Sequence, residues 1–351
     1  MTTTPPTHTA PLQKLPPDPR PRVVVFLLTL ALVLVGGVAG GLIMQKHASD
    51  TAAPTTWVSG AFLSEHTTLS NAVEYGRWRN RAPEALVIYA AHETWADLTG
   101  GEGLMITLAG YDGTLVFSLP PLPSEKDATL ADVAAGKYDV TYQTVADQLA
   151  RHGFGNAIVR VGWEANLDWS PWSATAANAS QYQAAVHRVM GVLKARVPSL
   201  RTEWDLACGR GLDGGRSRTA ALEDLYPGDD VTDIVGCDHY DSYAVRAMTP
   251  DGWQNALRPP NGVGLDDVAD FARAHGKGLG VPEWGLSNEQ FGGGDNPGFI
   301  RHMYDYFEAN RDILAVEAYF DEPSEPTRAA LWGGPDGTIN PRAAEVYRDL
   351  F

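Results

Sequence analysis

The chain has 351 residues, of which 44% are hydrophobic and 9% aromatic, enough for one large globular domain or two of ordinary size. Its formal net charge is −16, and no cluster of Lys and Arg offers the basic face that a phosphate backbone requires. We therefore expect no nucleic-acid partner.

The N-terminal segment differs in composition from the rest of the chain. Residues 1–22 are rich in Thr and Pro and lack an apolar period, which predicts disorder. Val23–Met44 then contains no charged residue over about 22 positions, a length that can cross a bilayer. A cleaved secretory signal is the competing interpretation, with processing among the small residues of 48–54, but its apolar region is usually only about 7–15 residues long. We predict an uncleaved transmembrane anchor.

The charges that flank this span predict its orientation. Basic residues such as Arg20 and Arg22 precede it, and the basic side of a single span stays in the cytoplasm. The N-terminus is then cytoplasmic, residues 45–56 form a linker, and residues 57–351 form an extracellular domain. Because residues 1–50 hold four of the 27 basic and two of the 43 acidic residues, the remaining 23 basic and 41 acidic residues make the exterior part strongly acidic.

Short apolar runs alternate with helical patterns after Trp57. The predicted strands are Gly60–Leu63, Ala85–Ala90, Leu104–Leu108, Ala157–Val161, Thr202–Leu206, Asp233–Asp238, Gly278–Pro282 and Ile313–Phe320. The predicted helices include Thr141–His152, Ser180–Val197, Leu265–His275 and Asn296–Asn310. Eight strands alternating with helices are typical of a (β/α)8 TIM barrel. The alternative, an open doubly wound sheet, would place a Gly-rich phosphate turn after the first strand, and the sequence has none there.

The most informative segment runs from Ala157 to Trp172 and reads AIVRVGWEANLDWSPW. Its apolar run carries Arg160 and leads to Glu164, and strand alternation places these two side chains on one face. A carboxylate in such a place is costly unless it is paired or solvated. Tryptophans beside it offer flat faces to sugar rings, and Asn166 offers hydrogen bonds to hydroxyls. The segment therefore predicts a carbohydrate site.

A second carboxylate, Glu283, ends the seventh predicted strand. Functional residues of a barrel come from the carboxyl ends of its strands, and strands four and seven lie on roughly opposite sides of the mouth. We predict that Glu164 and Glu283 are catalytic. The predicted substrate-binding residues are the polar and aromatic side chains around them: Arg160, Trp163, Asn166, Trp169, Trp172, His239, Tyr240 and Trp284. Alternatively, Trp169, Trp172 and Trp284 could be core residues and His239 a structural histidine.

Two carboxyl groups of this kind can hydrolyse a glycosidic bond with retention when one stays protonated and the other ionised. Glu164 is flanked by tryptophans, whose desolvation raises a carboxyl pKa, so we assign it as the acid/base. Arg160 and the hydroxyl of Tyr240 could keep Glu283 ionised, which makes Glu283 the nucleophile.

The segment AGKYDVTYQTVADQLARHGFGNAIVRVGWEAN resembles glycoside hydrolase family 26, within the clan of barrel glycosidases that carry catalytic glutamates on strands four and seven. The matching positions are Gly136, Lys137, Tyr138, Asp139, Arg160, Glu164 and Asn166. VGCDHYDS resembles the family's sixth strand, with Tyr240 in place to contact the nucleophile. VPEWG resembles its seventh, with Glu283 as that nucleophile.

This resemblance implies a (β/α)8 fold and a retaining β-glycanase. Members of the family are mostly endo-β-mannanases, with some xylanases and mixed-linkage glucanases. The family usually has His directly before the acid/base glutamate, whereas this chain has Trp163. That His contacts substrate near the cleaved bond, so its replacement leaves the sugar and the linkage open.

The two cysteines, Cys208 and Cys237, could form a disulfide outside the membrane or remain two buried thiols. His and Cys show no ligand spacing, so we expect no metal and no other cofactor.

Three functions fit the sequence. The first is a membrane-anchored retaining glycosidase that cleaves β-linked polysaccharide outside the cell. The second is a transglycosylase that remodels envelope glycan. The third is an inert barrel that only binds glycan, and the presence of both glutamates at matching strand ends favours an enzyme over it.

Overall fold

The computed structural model describes residues 57–64, 67–125, 127–242, 250–325, 327–334 and 337–351. The N-terminal segment 1–22, the anchor predicted at Val23–Met44 and the linker 45–56 lie outside the described residues. Among the described residues, no helix combines the length and the apolar character needed to span a bilayer.

The described residues form a closed barrel of eight parallel strands, in which each strand pairs with the next along the chain and the last pairs with the first. The strands are β1 (Val58–Phe62), β2 (Ala85–Tyr89), β3 (Thr114–Leu119), β4 (Ile158–Val161), β5 (Arg201–Ala207), β6 (Ile234–Tyr240), β7 (Gly278–Gly285) and β8 (Leu314–Phe320). This arrangement confirms the predicted (β/α)8 barrel.

Helices connect the strands and cover the outside of the barrel. They are α1 (Leu69–Arg79), α2 (Trp95–Gly100), α3 (Glu102–Thr107), α4 (Leu130–Ala134), α5 (Asp139–Arg151), α6 (Ala179–Arg196), α7 (Ala220–Leu225), α8 (Pro250–Leu257), α9 (Leu265–Ala274), α10 (Pro297–Ala309) and α11 (Pro341–Leu350). The four predicted helices correspond to α5, α6, α9 and α10. The start of α10 follows from its sequence: Asn296 accepts hydrogen bonds from the backbone N–H groups of Gly298 and Phe299, and Pro297 occupies the first turn, where an N–H is not needed.

The predicted third strand is wrong. Leu104–Leu108 belongs to the helical segment that contains α3, and the strand is formed by Thr114–Leu119. Met105 and Leu108 are buried whereas Ile106 is 57% exposed, which is helical spacing rather than strand alternation. A short apolar run is compatible with either a helix or a strand. Here the buried residues recur every three positions, which identifies a helix.

The interior of the barrel changes character along the strands. Near the amino ends of the strands it is filled by small and branched apolar side chains: Ala85, Val87, Val116, Ile158, Ile234, Val316 and Ala318. Nearer the carboxyl ends the inward side chains are charged, and Arg160, Glu203, Asp205 and Asp238 are all at most 2% exposed. The barrel therefore carries a buried polar layer directly beneath its mouth.

An irregularity in β7 decides which way its functional residue points. Gly280 faces the interior: a side chain added there would collide with the inward carboxyl group of Glu203. Strict alternation from Gly280 would turn Glu283 outward and Trp284 inward. The register against both β6 and β8 shifts before Trp284, which adds one residue to β7 and reverses this order. Glu283 consequently points into the mouth.

Cys208, directly after β5, and Cys237, in β6, form a disulfide with their Cα atoms 5.5 Å apart. This separation lies within the usual range of about 4.4–6.8 Å. Of the two alternatives, the structure therefore has the bridge rather than two free thiols. The bridge joins the carboxyl end of β5 to the middle of β6, two strands whose inward faces carry Asp205 and Asp238.

Candidate active site

Glu164 lies at the mouth of the barrel, in the turn that follows β4. The strand ends at Val161, so the alternation that we extended to Glu164 stops short of it. Glu164 instead has a φ of 53°, a left-handed conformation that is uncommon for residues other than glycine. Such backbone strain persists only where the surroundings fix it, and it is concentrated at functional sites.

The surroundings of Glu164 are aromatic and supply few hydrogen-bond donors. Trp169 donates its indole N–H to Oε2 of Glu164 at 3.1 Å. Trp163 and Trp172 lie behind them, with ring centroids 4.6 Å apart. Burial, followed by the negative charge of Glu283, raises the pKa of Glu164 to about 8 against the opposing effect of Arg160. A raised pKa favours the protonated acid near neutral pH, which is the form that an acid catalyst requires.

Glu283 has the opposite environment. Tyr89 donates its hydroxyl to Oε2 of Glu283, and Tyr240 donates to Oε1 at 2.6 Å. Arg160 adds a third donor, from Nη1 to Oε2 at 3.2 Å. Charge-assisted hydrogen bonds of this kind stabilise the ionised carboxylate and fix its orientation, as a nucleophile requires. The partners predicted for Glu283, Arg160 and Tyr240, are confirmed as its contacts.

Arg160 is fully buried at the centre of the polar layer. Its Nε donates to Asp205 Oδ2 at 2.5 Å, and its Nη2 donates to Asp238 Oδ2. The guanidinium also lies 5.5 Å from the ring of Trp163. One cation thus orients carboxylates from three strands, β5, β6 and β7, which explains why an apolar strand carries an arginine.

The two glutamates face each other across a cleft of about 940 Å³. A carboxyl oxygen of Glu164 lies within 4.8 Å of one of Glu283. The cleft is lined by Phe62, Ser64, Thr67, Ile88, Tyr89, Leu104, Glu164, Leu167, Trp169, Tyr240, Glu283, Phe320, Glu322, Ser324, Glu325 and Thr327. Aromatic faces, hydroxyls and carboxylates together provide stacking and hydrogen-bonding partners for a sugar chain.

Three of the predicted substrate-binding residues support the cleft from behind. Trp163 and Trp172 are at most 4% exposed, and Trp172 donates its indole N–H to the carbonyl oxygen of Trp163 at 2.8 Å. Asn166 exchanges hydrogen bonds with the backbone N–H and carbonyl of Ala207, both at 2.9 Å. Its amide therefore ties the turn after β4 to the end of β5. Trp169, 49% exposed, is the tryptophan that lines the cleft itself.

His239 and Trp284 are not in the cleft. His239 packs against Phe299, with ring centroids 5.8 Å apart, on the outer face of β6. Trp284 is fully buried on the outer face of β7 and donates its indole N–H to Glu317 at 2.7 Å. The prediction paired each with an adjacent residue, Tyr240 or Glu283, and neighbours on a strand point to opposite faces. His239 and Trp284 are therefore structural residues of the protein interior and not residues of the cleft.

The sequence reasoning missed Tyr89 and the full role of two aspartates. Tyr89 ends β2, and its position at the carboxyl end of a predicted strand was a usable signal. Asp205 and Asp238 lie within the predicted fifth and sixth strands, where the sequence gives no indication of their partner. Their role follows from the contacts that Arg160 makes with both.

Glu164, Asp238 and Glu283 each place a carboxylate oxygen within 4.8 Å of the others, which is a geometry that a divalent cation could use. Arg160 already supplies positive charge there, because both Asp238 and Glu283 accept hydrogen bonds from it. We therefore assign no metal to this cluster.

No protein-family model and no curated protein sequence matches the chain. Solved structures do match it. The YdhT protein from Bacillus subtilis aligns over 85% of this chain and 86% of its own, with 15% identity and a TM-score of 0.57. The Bacillus subtilis mannanase man26 aligns over the same shares, with 16% identity and a TM-score of 0.56.

An endo-β-1,4-glucanase from Xanthomonas axonopodis pv. citri, solved as a triple mutant, aligns over 84% of this chain and 99% of its own, with 12% identity and a TM-score of 0.56. At such identities the likeness is one of fold. The chain thus has the (β/α)8 fold of mannanases and endo-glucanases, as its resemblance to glycoside hydrolase family 26 implies.

Proposed function

We propose that the chain is a retaining glycoside hydrolase that cleaves a β-linked polysaccharide, with Glu283 as nucleophile and Glu164 as acid/base. The observation that carries this proposal is the carboxyl pair itself. Two glutamates face one cleft: Glu164 lies in an apolar setting that raises its pKa, and Glu283 accepts hydrogen bonds from three donors. Opposed environments of this kind assign acid and base roles in glycosidases.

In the first step, a carboxylate oxygen of Glu283 attacks the anomeric carbon. The glycosidic C–O bond breaks, and the proton of Glu164 passes to the leaving oxygen. In the second step, the ionised Glu164 takes a proton from water, whose oxygen attacks the anomeric carbon and releases Glu283. Both glutamates then return to their starting protonation states, and two inversions give net retention.

The spacing of the carboxyl groups supports retention over inversion. Retaining enzymes hold these groups about 5–5.5 Å apart, whereas inverting enzymes leave about 6.5–9.5 Å for an intervening water. Oxygens of Glu164 and Glu283 within 4.8 Å of each other fit the first arrangement.

The substrate that we propose is a β-mannan or a related β-glycan. A mannanase and an endo-β-1,4-glucanase are among the similar solved structures. Because Trp163 replaces the histidine that family 26 usually has before its acid/base, the sugar bound next to Glu164 has different contacts here. A panel of mannans, xylans, glucans and envelope polysaccharides identifies the substrate, and products longer than the substrate would indicate transglycosylation.

We further propose that the enzyme is anchored in the cell membrane by Val23–Met44 and acts outside the cell. The uncharged length of that segment supports the anchor. The Cys208–Cys237 disulfide supports an exterior location, because disulfides persist in oxidising compartments. The full-length protein should stay in the membrane fraction after an alkaline wash. Recovery of a soluble form that begins within residues 48–54 would contradict the anchor.

The division of labour between the glutamates is tested with azide. Glu283→Ala should lose nearly all turnover, and azide should restore it as a glycosyl azide of inverted configuration, because azide then replaces the nucleophile. Glu164→Ala should lose activity most on poor leaving groups and least on activated aryl glycosides. Azide should then give a product of retained configuration, because the covalent intermediate still forms.

The matched control is Glu317→Gln, which changes a buried glutamate on the outer face of β8, and it should keep activity. The same product configuration from both alanine variants, or full activity in either, would overturn the assignment.

A further inference from the structure

Three buried carboxyl groups beneath the cleft carry oxygens with no hydrogen-bond donor among the described residues. The oxygens without a donor are Oε1 and Oε2 of Glu203, Oδ1 of Asp205 and Oδ1 of Asp238. All three side chains face the barrel interior and are at most 2% exposed. A buried acceptor without a donor is expensive, so such a group needs an explanation.

The chain makes room for Glu203. A Cβ added to Gly280 would lie 1.9 Å from Oε1 of Glu203, and one added to Gly236 would lie 2.9 Å from the same atom. Two neighbouring strands thus carry glycine where this carboxyl group lies. Any larger residue at Gly280 would displace it, so the position of Glu203 is built into β6 and β7 as well as into β5.

The charges in this layer do not balance if every carboxyl group is ionised. Arg160, on β4, is the cation nearest to four carboxyl groups. They belong to Glu203 and Asp205 on β5, Asp238 on β6 and Glu283 on β7. Arg201, at the start of β5, adds a weaker attraction to Glu203. Uncompensated buried charge is avoided by protonation. A protonated carboxyl group also supplies the O–H donor that the orphaned oxygens lack.

The layer is continuous with the acid/base. Asp238 and Glu164 place carboxyl oxygens within 4.8 Å of each other, and Asp205 shares the guanidinium of Arg160 with Asp238. Carboxyl groups therefore run from Glu203 in the interior, through Asp205 and Asp238, to the cleft.

We propose that Glu203, Asp205 and Asp238 form a chain that holds protons beneath the catalytic pair, in which Glu203 is a positioning residue whose change of charge sets the pH range over which Glu164 keeps its proton. The functional part rests on the proposed role of Glu164. Glu203 touches no substrate and acts through its charge state. Closely coupled carboxyl groups titrate as a unit, so a charge gained at one end is felt at the other.

The electrostatics of the individual groups agree with this. Burial, followed by the charge of Asp205, raises the pKa of Glu203 to about 8. Burial raises the pKa of Asp205 to about 6, against the pull of Arg160, and it raises the pKa of Asp238 well above its ordinary value.

The first test is the pH dependence of stability in Glu203→Gln, which mimics the neutral acid. A carboxyl group whose pKa is raised by folding favours the folded state below its unfolded pKa, and this stability is lost as the pH rises through the folded pKa. The melting temperatures of the wild type and the variant should therefore be similar near pH 4. Their difference should grow in favour of the variant up to about pH 8. A constant difference across this range would overturn the neutral state of Glu203.

The second test is the pH profile of kcat/KM on an unactivated oligosaccharide, whose leaving group needs the proton of Glu164. In the wild type, ionisation of Glu203 adds negative charge to the carboxyl chain that reaches Glu164 through Asp205 and Asp238, and this helps Glu164 to keep its proton at high pH. Glu203→Gln should therefore move the basic limb to lower pH and leave the acidic limb unchanged. Glu317→Gln, an equally buried glutamate on the outer face, should move neither limb. An unmoved basic limb in Glu203→Gln contradicts the functional part of the proposal.

A third measurement needs neither activity nor a change at Glu203. In the Glu164→Gln/Glu317→Gln double variant at pH 7, the infrared carbonyl stretch of a protonated carboxylic acid should persist, since Glu203 and its neighbours remain and the buried Glu317 no longer contributes. Absence of that band would overturn the proton-holding chain. If the band is present but Glu164→Ala and Glu283→Ala keep full activity, the proposed catalytic function fails while the protonated layer stands.

Discussion

Two sides of the cleft hold a glutamate each, and they differ in backbone, neighbours and charge. On the side of β4, Glu164 lies in a left-handed turn among tryptophans and receives one hydrogen bond, from Trp169. On the side of β7, Glu283 lies within a strand and receives three, from Tyr89, Tyr240 and Arg160. The same side chain thus has two environments: a desolvated one on the side of β4, which raises the pKa of Glu164, and a donor-rich one on the side of β7. The two glutamates have the same side chain, so the difference in their proposed catalytic roles comes from the neighbouring residues.

Removal of Arg160 should have the largest effect on the donor-rich side of the cleft. Arg160→Ala leaves Asp205, Asp238 and Glu283 without their shared cation in a buried layer. Losing one partner of a buried ion pair destabilises a protein by about 3–5 kcal/mol. We expect a loss of this size in denaturant unfolding, together with a near-complete loss of activity.

Arg188→Ala is the matched control, because Arg188 pairs with Asp139 at the surface. It should leave stability and activity nearly unchanged. Equal effects of the two substitutions would mean that the buried layer does not depend on its cation.

Tyr240→Phe tests the donor-rich side alone. It removes the hydroxyl that donates to Oε1 of Glu283 at 2.6 Å and keeps the ring. A hydrogen bond to a charged group contributes about 1.5–3 kcal/mol, so kcat/KM should fall by about 10–100-fold. Tyr226→Phe, whose hydroxyl bonds Asp229 away from the cleft, is the control. An unchanged kcat/KM in Tyr240→Phe would mean that this hydroxyl does not assist Glu283, the proposed nucleophile.

Trp169→Phe tests the apolar side and should have the smallest effect. The indole N–H of Trp169 favours the ionised form of Glu164 and lowers its pKa, so its loss should raise that pKa above about 8. The basic limb of the pH profile should then move to higher pH, opposite to the shift expected for Glu203→Gln. A shift to lower pH would mean that the indole contributes by excluding water rather than by donating a hydrogen bond.

The sequence was informative wherever a local pattern carried the signal. Periods of two and 3.6 residues located seven of the eight strands and the helices α5, α6, α9 and α10. They failed at Leu104–Leu108, where a short apolar run fits both a strand and a helix. The catalytic candidates followed from carboxylates at strand ends, as did the partnership of Glu283 with Arg160 and Tyr240.

Local patterns in the sequence were therefore enough to predict a barrel with Glu164 and Glu283 at its mouth. The residues that surround these two glutamates depend on how the strands pair. One extra residue in β7 turns Glu283 inward and Trp284 outward, and no local pattern encodes it, because a register shift exists only against the adjacent strands. The buried layer around Arg160 is likewise built from residues far apart in the chain, so its charge balance arises only when the strands close into a barrel.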